Sequence, residues 1–194
     1  FIISAIKKGA AAVICSKNTK IKNTKIPIIK VQNPKKTLIN CCVKFYRPKP
    51  KNIVAVTGTN GKTSVAEFFY QIFSLNKIPV ASIGTLGIKT KKLNKKLTLT
   101  SPDIISLHRE LTKIKKNKID NVIIEASSHG LDQDRICGLN FKAGIFTNFS
   151  QDHLDYHKTM KAYLTSKLIL FSELLPKKSY IISDKLNKEF VTLK

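Results

Sequence analysis

An α/β fold, a mostly parallel sheet flanked by helices, is what these 194 residues predict, and three observations predict it. Extended and helical patterns alternate along the chain, and strands separated by helices call for crossover connections onto a parallel sheet. The stretch "VAVTGTNGKTSVAEFF", residues 54 to 69, passes from a β-rich run through a turn with two glycines into an amphipathic helix. Polar residues also cluster just after three of the predicted strands, where an open parallel sheet binds its ligands.

The elements follow in order. Residues 1 to 9 read as helical, Ala11 to Cys15 and Ile26 to Val31 as extended, and Pro34 to Tyr46 as a helix with Asn33 as its N-cap and Pro34 in its first position. "RPKPK", residues 47 to 51, sets two prolines among cations and marks a domain boundary. A smaller α/β unit, residues 1–48, therefore precedes a larger one, residues 49–194. In the larger unit a strand Asn52 to Val56 leads through the turn to a helix Lys62 to Leu75. An extended segment Pro79 to Ile83 and a lysine-rich stretch Lys89 to Lys96, read as a loop, come next. The helix Asp103 to Lys116 places Ile104, Leu107, Leu111 and Ile114 on one face. Strands Asn121 to Ala126 and Ala143 to Asn148, a helix from about Thr159 to Leu175 and a strand Ser179 to Ser183 complete the pattern.

Composition narrows the function. The chain opens on Phe1 within an apolar pattern and reads as a piece of a longer protein. No apolar run approaches the roughly 18 residues that span a bilayer, and no signal-peptide pattern is seen, so no membrane association is expected. Cys15, Cys41, Cys42 and Cys137 lack metal-binding spacing, and adjacent cysteines pair poorly, which suits a reduced cytoplasmic protein. The formal charge of +23 invites a nucleic-acid partner. Yet the lysines are scattered, and Arg47, Arg109 and Arg135 are the only arginines, whereas base readout leans on arginine forks. A solvated surface that attracts anionic small molecules is the preferred reading, with no nucleic-acid partner.

The turn from Thr57 through Gly58, Thr59 and Asn60 to Gly61 has the chemistry of a phosphate loop. Its glycines let backbone N–H groups approach an anion, Lys62 can reach β and γ phosphates, and the Thr63 hydroxyl can bind Mg²⁺. Ser64 continues into a helix whose positive N-terminus adds to the attraction. Val56 stands where the common eight-residue loop has its first glycine. Glu125 ends the apolar strand "NVIIE"; a carboxylate there is either exposed or a metal ligand, and alone it decides nothing. His129 and His153 are equally ambiguous taken singly. "FTNFSQDHLDYH" nevertheless packs Asn148, Asp152, His153, Asp155 and His157 directly after a strand.

"VTGTNGKTS", "EASSHGLDQDR" and "FTNFSQDHLDYHKTMKAYLTSK", in this order and spacing, resemble the Mur ligase family, and the short "GTNGKT" loop of that family accounts for the missing glycine. The resemblance covers nearly the whole chain. It implies the end of a UDP-substrate domain followed by much of a P-loop-type central ATP-binding domain, with the remaining parts of the family's architecture outside these residues. The implied chemistry is ATP-driven amide formation. "SSHGLDQ" is similar to the family's third addition step, in which meso-diaminopimelate or L-lysine joins UDP-N-acetylmuramoyl-L-alanyl-D-glutamate through an acyl phosphate, in peptidoglycan synthesis. The alternatives are another amide ligase of the superfamily, such as a folylpolyglutamate synthetase, and, from a different class, a basic nucleic-acid-binding module.

Carried over position by position, the resemblance implies that Thr57, Gly58, Thr59, Asn60, Gly61, Lys62, Thr63 and Ser64 bind ATP. Thr100, Ser101, Ser127, Gln133 and Arg135 would bind the UDP-linked substrate, and Thr63, Glu125 and His153 would bind Mg²⁺. Lys62 and Lys167 are the implied catalytic residues. Lys167 lies at the edge of the apolar row Met160, Tyr163, Leu164, Leu168, Phe171 and Leu175, where a lysine ordinarily extends its ammonium to solvent. The resemblance implies instead a lysine carboxylated by CO₂ to a carbamate that helps hold a second Mg²⁺. The residue patterns of Thr100-Ser101 also suit a helix N-terminus.

Overall fold

The computed structural model describes residues 1–21 and 24–184. Helix α1 (Ile2–Lys7), strands β1 (Val13–Ser16) and β2 (Ile28–Val31) and helix α2 (Pro34–Phe45) come first. β1 and β2 pair in parallel as a sheet of their own, Val13 opposite Ile28 and Ser16 opposite Val31. α2 starts as its sequence dictates: the Asn33 side chain accepts from the Lys36 N–H at 3.0 Å, and Pro34 sits where a helix N–H has no partner to lose. The helix ends ahead of Pro48 and Pro50, which cannot extend it.

The rest builds a seven-stranded sheet. Its elements are β3 (Asn52–Thr57), α3 (Lys62–Leu75), β4 (Val80–Gly84), β5 (Gly87–Thr90), β6 (Asn94–Lys95), α4 (Ile104–Lys116), β7 (Asn121–Glu125), α5 (Ser128–Asp132), β8 (Phe141–Phe146), α6 (Leu154–His157), α7 (Met160–Ile169) and β9 (Tyr180–Ser183). The strand order is β6-β5-β4-β7-β3-β8-β9. All pairings from β4 to β9 are parallel; β5 and β6 add an antiparallel edge.

Alternation along the central strands assigns the two faces. Ile53 and Ala55 of β3, with Val122 and Ile124 of β7, pack with Leu107, Leu111 and Ile114 of α4 and with Leu170. Val54 and Val56, with Ile123, pack instead under Ala66, Val65 and Phe69 of α3. These β7 residues read as a continuous apolar run because both of their faces are covered.

Register puts the chemistry at one rim. Val56 lies opposite Glu125, Thr57 opposite Phe146, and Ile83 opposite Ile124. Four strands therefore release their following residues at one level of the sheet.

Several elements differ from the sequence expectation. The lysine-rich stretch 89–96 is no loop: β5 and β6 form a hairpin, with Lys89 paired to Glu67 of α3 and Lys95 to Glu110 of α4 at 3.0 Å. Partners distant in sequence neutralise lysines that locally disfavour a strand. The strand expected at 143–148 runs from Phe141 to Phe146, because Thr147 and Asn148 turn to bond the loop after β3. The helix expected to reach Leu175 changes at Leu170 to a π-helical turn, Leu170–Leu174, closed by Leu175 N–H donating to the Leu170 carbonyl at 3.0 Å. That turn sets Phe171 and Leu175 against Gly144.

Candidate active site

The turn after β3 is held in shape by the end of β8. Thr59 N–H donates to the Asn148 carbonyl at 2.9 Å, Asn60 N–H to Asn148 Oδ1 at 2.9 Å, and Thr147 Oγ1 to the Asn60 carbonyl at 2.6 Å. Gly58 is required on two counts: its φ is +139°, and a Cβ there would lie 2.0 Å from Thr147 Oγ1. Gly61, at φ +80°, opens α3, a helix of 14 residues whose first turn has no side-chain cap. Its leading N–H groups and dipole thus face the cleft beyond the turn.

That cleft, about 290 Å³, is lined by Thr59, Asn60, Gly61, Lys62, Thr63 and Ser64 from the turn and helix, and by Thr85, Thr100, Ser127, Ser128, His153 and Lys167. Lys62 folds back over the turn, Nζ donating to the Gly58 carbonyl at 3.0 Å and the Thr59 carbonyl at 2.7 Å. Burial lowers its pKa, opposed by the charges of Glu125 and Asp152.

Glu125 sits beneath the cleft, 2% exposed. Its carboxylate accepts from Thr63 Oγ1 at 2.8 Å, from Thr85 N–H at 3.0 Å and from Thr85 Oγ1 at 3.1 Å. Gly84 makes room for it, since a Cβ at that position would lie 2.0 Å from Glu125 Oε1. The donor set suits a hard cation. Carboxylate and hydroxyl oxygens are what Mg²⁺ prefers, and 2.8 Å is close to the roughly 2.9 Å between neighbouring oxygens of its octahedral shell. Among the described residues no three His, Cys, Asp or Glu side chains converge as a ready-made metal site. A Mg²⁺ here would therefore take part of its shell from phosphate oxygens and water, as that ion commonly does.

Thr100 and Ser127 reach the cleft wall, and Ser101 lies just behind it. Ser101 Oγ donates to the Glu125 carbonyl at 2.9 Å and accepts from Ser127 N–H at 3.1 Å. Ser127 caps α5 by accepting from Gly130 N–H at 3.0 Å. Gln133 and Arg135 do not line the cleft; they join it through Ser101, whose carbonyl accepts from Arg135 Nη1 at 3.0 Å, while Gln133 Oε1 accepts from Arg135 Nε at 3.0 Å.

His153 also lines the cleft, next to His129, ring centres 4.9 Å apart, and half-exposed. It and Thr63, the partner of Glu125, face the same cleft. Thr57 and Gly58 lie behind the lining, though the Gly58 carbonyl anchors both lysines.

Lys167 does not reach for solvent. It is 1% exposed, its Nζ donates to the Gly58 carbonyl at 2.6 Å, and it lies 4.3 Å from the centre of the Tyr163 ring. Burial, with Lys62 beside it, lowers its pKa to about 7. Sequence reasoning missed Thr85, which supplies two of the donors to Glu125. "SIGTLG" ends a strand, so the strand-end rule that found the other clusters also points there.

Comparisons with known proteins identify the family. The sequence pattern of the Mur ligase middle domain matches residues 56–193. UDP-N-acetylmuramoyl-L-alanyl-D-glutamate–2,6-diaminopimelate ligase of Brucella melitensis is 44% identical over 177 residues, which is 91% of this chain and 36% of that protein. The ligase of the same name from Rickettsia bellii is 46% identical over 181 residues, 91% of this chain and 38% of its own length. A solved structure of a ligase of that name superposes with a TM-score of 0.79 at 28% identity, covering 98% of this chain and 38% of the other. The chain thus spans little more than a third of the length of these relatives. With the middle-domain pattern running from Val56 into the last residues, over well more than half of its length, the chain belongs to the Mur ligase family.

Proposed function

We propose that this chain supplies the nucleotide site and part of the acceptor-substrate site of an ATP-dependent ligase that adds 2,6-diaminopimelate to UDP-N-acetylmuramoyl-L-alanyl-D-glutamate. The observation that carries the proposal is the convergence in one cleft of an uncapped helix N-terminus, two lysines anchored on Gly58 and a buried carboxylate bonded to Thr63 and Thr85. The choice of diamino acid is supported by the names of the relatives. Residues 1–48 are assigned to the UDP-substrate domain and 49–194 to the ATP-binding domain, in keeping with the separate two-stranded sheet. Free cysteines fit the cytoplasm as its location.

In the reaction a carboxylate oxygen of the D-glutamate attacks the γ-phosphorus of ATP and ADP departs. The diamino acid's amine then attacks the acyl carbon, phosphate leaves with the acyl–oxygen electron pair, and the amine gives up a proton. Little covalent help is needed, so positioning and charge neutralisation do most of the work. Lys62 turns from its carbonyl anchors to the β and γ oxygens; the N-terminus of α3 and the turn Thr57–Gly61 hold the phosphates. Thr63 and Glu125, with His153 at the same cleft, would hold Mg²⁺, which supplies neutralising charge at the transferring phosphoryl group. Thr100, Ser101, Ser127, Gln133 and Arg135 present the acceptor.

Lys167 takes the carbamate role. The ammonium first gives up a proton to solvent. The neutral amine then attacks CO₂, the N–C bond forming as a C–O π pair moves onto oxygen, and a second proton leaves the nitrogen, so that two protons lost turn a cation into an anion. A lysine with a pKa near 7 has that neutral form available, and the carbamate nitrogen keeps one N–H for the Gly58 carbonyl.

The test is product formation by the full-length protein with ATP, the UDP-linked dipeptide and either diaminopimelate or L-lysine. ATP-dependent tripeptide formation with diaminopimelate is expected. No product with either amine would refute the proposal.

A further inference from the structure

His108 of α4 is 0% exposed, and both of its ring nitrogens are engaged. Nε2 lies 2.9 Å from the Cys137 carbonyl and Nδ1 2.6 Å from Lys49 Nζ. A carbonyl only accepts, so Nε2 carries the hydrogen. Nδ1 is then the lone pair of a neutral imidazole, and it accepts from the Lys49 ammonium. Burial and the neighbouring Lys49 charge keep His108 below the usual histidine range.

Lys49 belongs to the connection between α2 and β3, so the two bonds, through His108 of α4, tie that connection to the segment after α5. Other contacts converge on the same segment. Lys35 of α2 pairs with Asp134 at 2.7 Å. Gly138 admits α2 closely: a Cβ there would lie 2.5 Å from Val43 Cγ2 and 3.2 Å from Ile39 Cγ2. The segment 134–138 is thus gripped by α2 and the following connection, while its own Arg135 is bonded to Gln133 and to the Ser101 carbonyl behind the cleft wall.

A half-buried cation and a buried imidazole adhere no better than apolar residues of similar volume, because their desolvation offsets their attraction. What they add is direction, since each bond has one donor and one acceptor geometry. We propose that His108 is a positioning residue: with Lys49 it locks the segment 133–138 against the first part of the chain, so that the docking of α2 sets how Gln133 and Arg135 meet the acceptor substrate. This rests on the ligase reading for its kinetic consequence, though not for its structural one.

The test uses the full-length protein and two variants. His108→Phe keeps the volume and loses both bonds, whereas the side-chain amide of His108→Gln can donate to Cys137 and accept from Lys49. His108→Phe is expected to raise KM for the UDP-linked dipeptide about tenfold, with KM for ATP and kcat changed less than about threefold, and His108→Gln to remain near wild type. If His108→Phe does not fold, Lys49→Met, at a half-buried site, is read instead and should shift the same KM. Equal effects on both KM values, or no rescue by glutamine, would overturn the inference. Hydrogen exchange over residues 133–138 needs no turnover and separates the two failures: faster exchange in His108→Phe supports the lock even if no tripeptide is formed, and unchanged exchange refutes it.

Discussion

Lys62 and Lys167 donate to a single acceptor, the Gly58 carbonyl, from 3.0 and 2.6 Å. A half-buried and a fully buried ammonium group sharing one carbonyl repel each other, and each has its pKa lowered, chiefly by desolvation. An anion entering the cleft relieves that repulsion for Lys62, and conversion to an anion relieves it for Lys167. The pair therefore links nucleotide binding to the chemistry expected at Lys167.

Lys167→Ala in the full-length protein should be nearly inactive and partly rescued by added formate or acetate, small carboxylates able to occupy the space of the carbamate. Steady-state rates with and without the additive check this. Near-normal activity of the variant would dismiss the carbamate.

The same lysine should leave a mark on stability. Its folded pKa, about 7, lies below the ordinary lysine value of 10.5. Between those values the unfolded chain holds a proton that the folded chain has released, so this group makes stability rise with pH across that window and withdraws the gain as pH falls through about 7. Denaturant melts of wild type and Lys167→Met from pH 6 to pH 10 should differ in slope, the variant lacking this contribution. Parallel curves would mean that Lys167 keeps its proton.

Gly84→Ala should displace the Glu125 carboxylate, because the added methyl carbon would begin 2.0 Å from Oε1. Overpacking of this kind typically costs about 1–3 kcal/mol. A raised Mg²⁺ requirement for activity should accompany the lower melting temperature. An unaltered Mg²⁺ dependence would separate Glu125 from the metal.

Thr85→Val tests the support of Glu125 more gently. It removes the 3.1 Å hydroxyl bond and leaves the 3.0 Å backbone bond in place. A stability loss of about 0.5–1.5 kcal/mol is expected in thermal melts, with a weakened response to Mg²⁺. A melting curve and Mg²⁺ titration identical to wild type would remove Thr85 from the site.

Much of this was legible in the sequence because it is local. "VTGTNGKTS" joins an apolar strand, two glycines and a helix start in a few residues, and the turn, α3 and the cleft-facing Lys62 follow directly. Asn33 and Pro34 mark the start of α2 in the same way. What stayed hidden depends on partners far along the chain. Lys89 and Lys95 make a strand pair only because Glu67 and Glu110 neutralise them. The burial of Lys167 depends on a carbonyl more than a hundred residues away, so helix periodicity alone placed it at a solvent edge. The family resemblance assigns Gln133 and Arg135 to the bound substrate, and their route to the cleft, through the Ser101 carbonyl, depends on a contact 34 residues away.

The central claim is that the turn after β3 holds the phosphates of ATP through Lys62. The most direct measurement is ATP affinity and turnover of the full-length Lys62→Ala variant, with its melting temperature as a control. The side chain contributes little to the core, so the fold should persist while turnover falls by at least about 10²–10³-fold, the usual cost of removing a charge that stabilises a transferring group. A folded variant that binds and turns over ATP like the wild type would contradict the account.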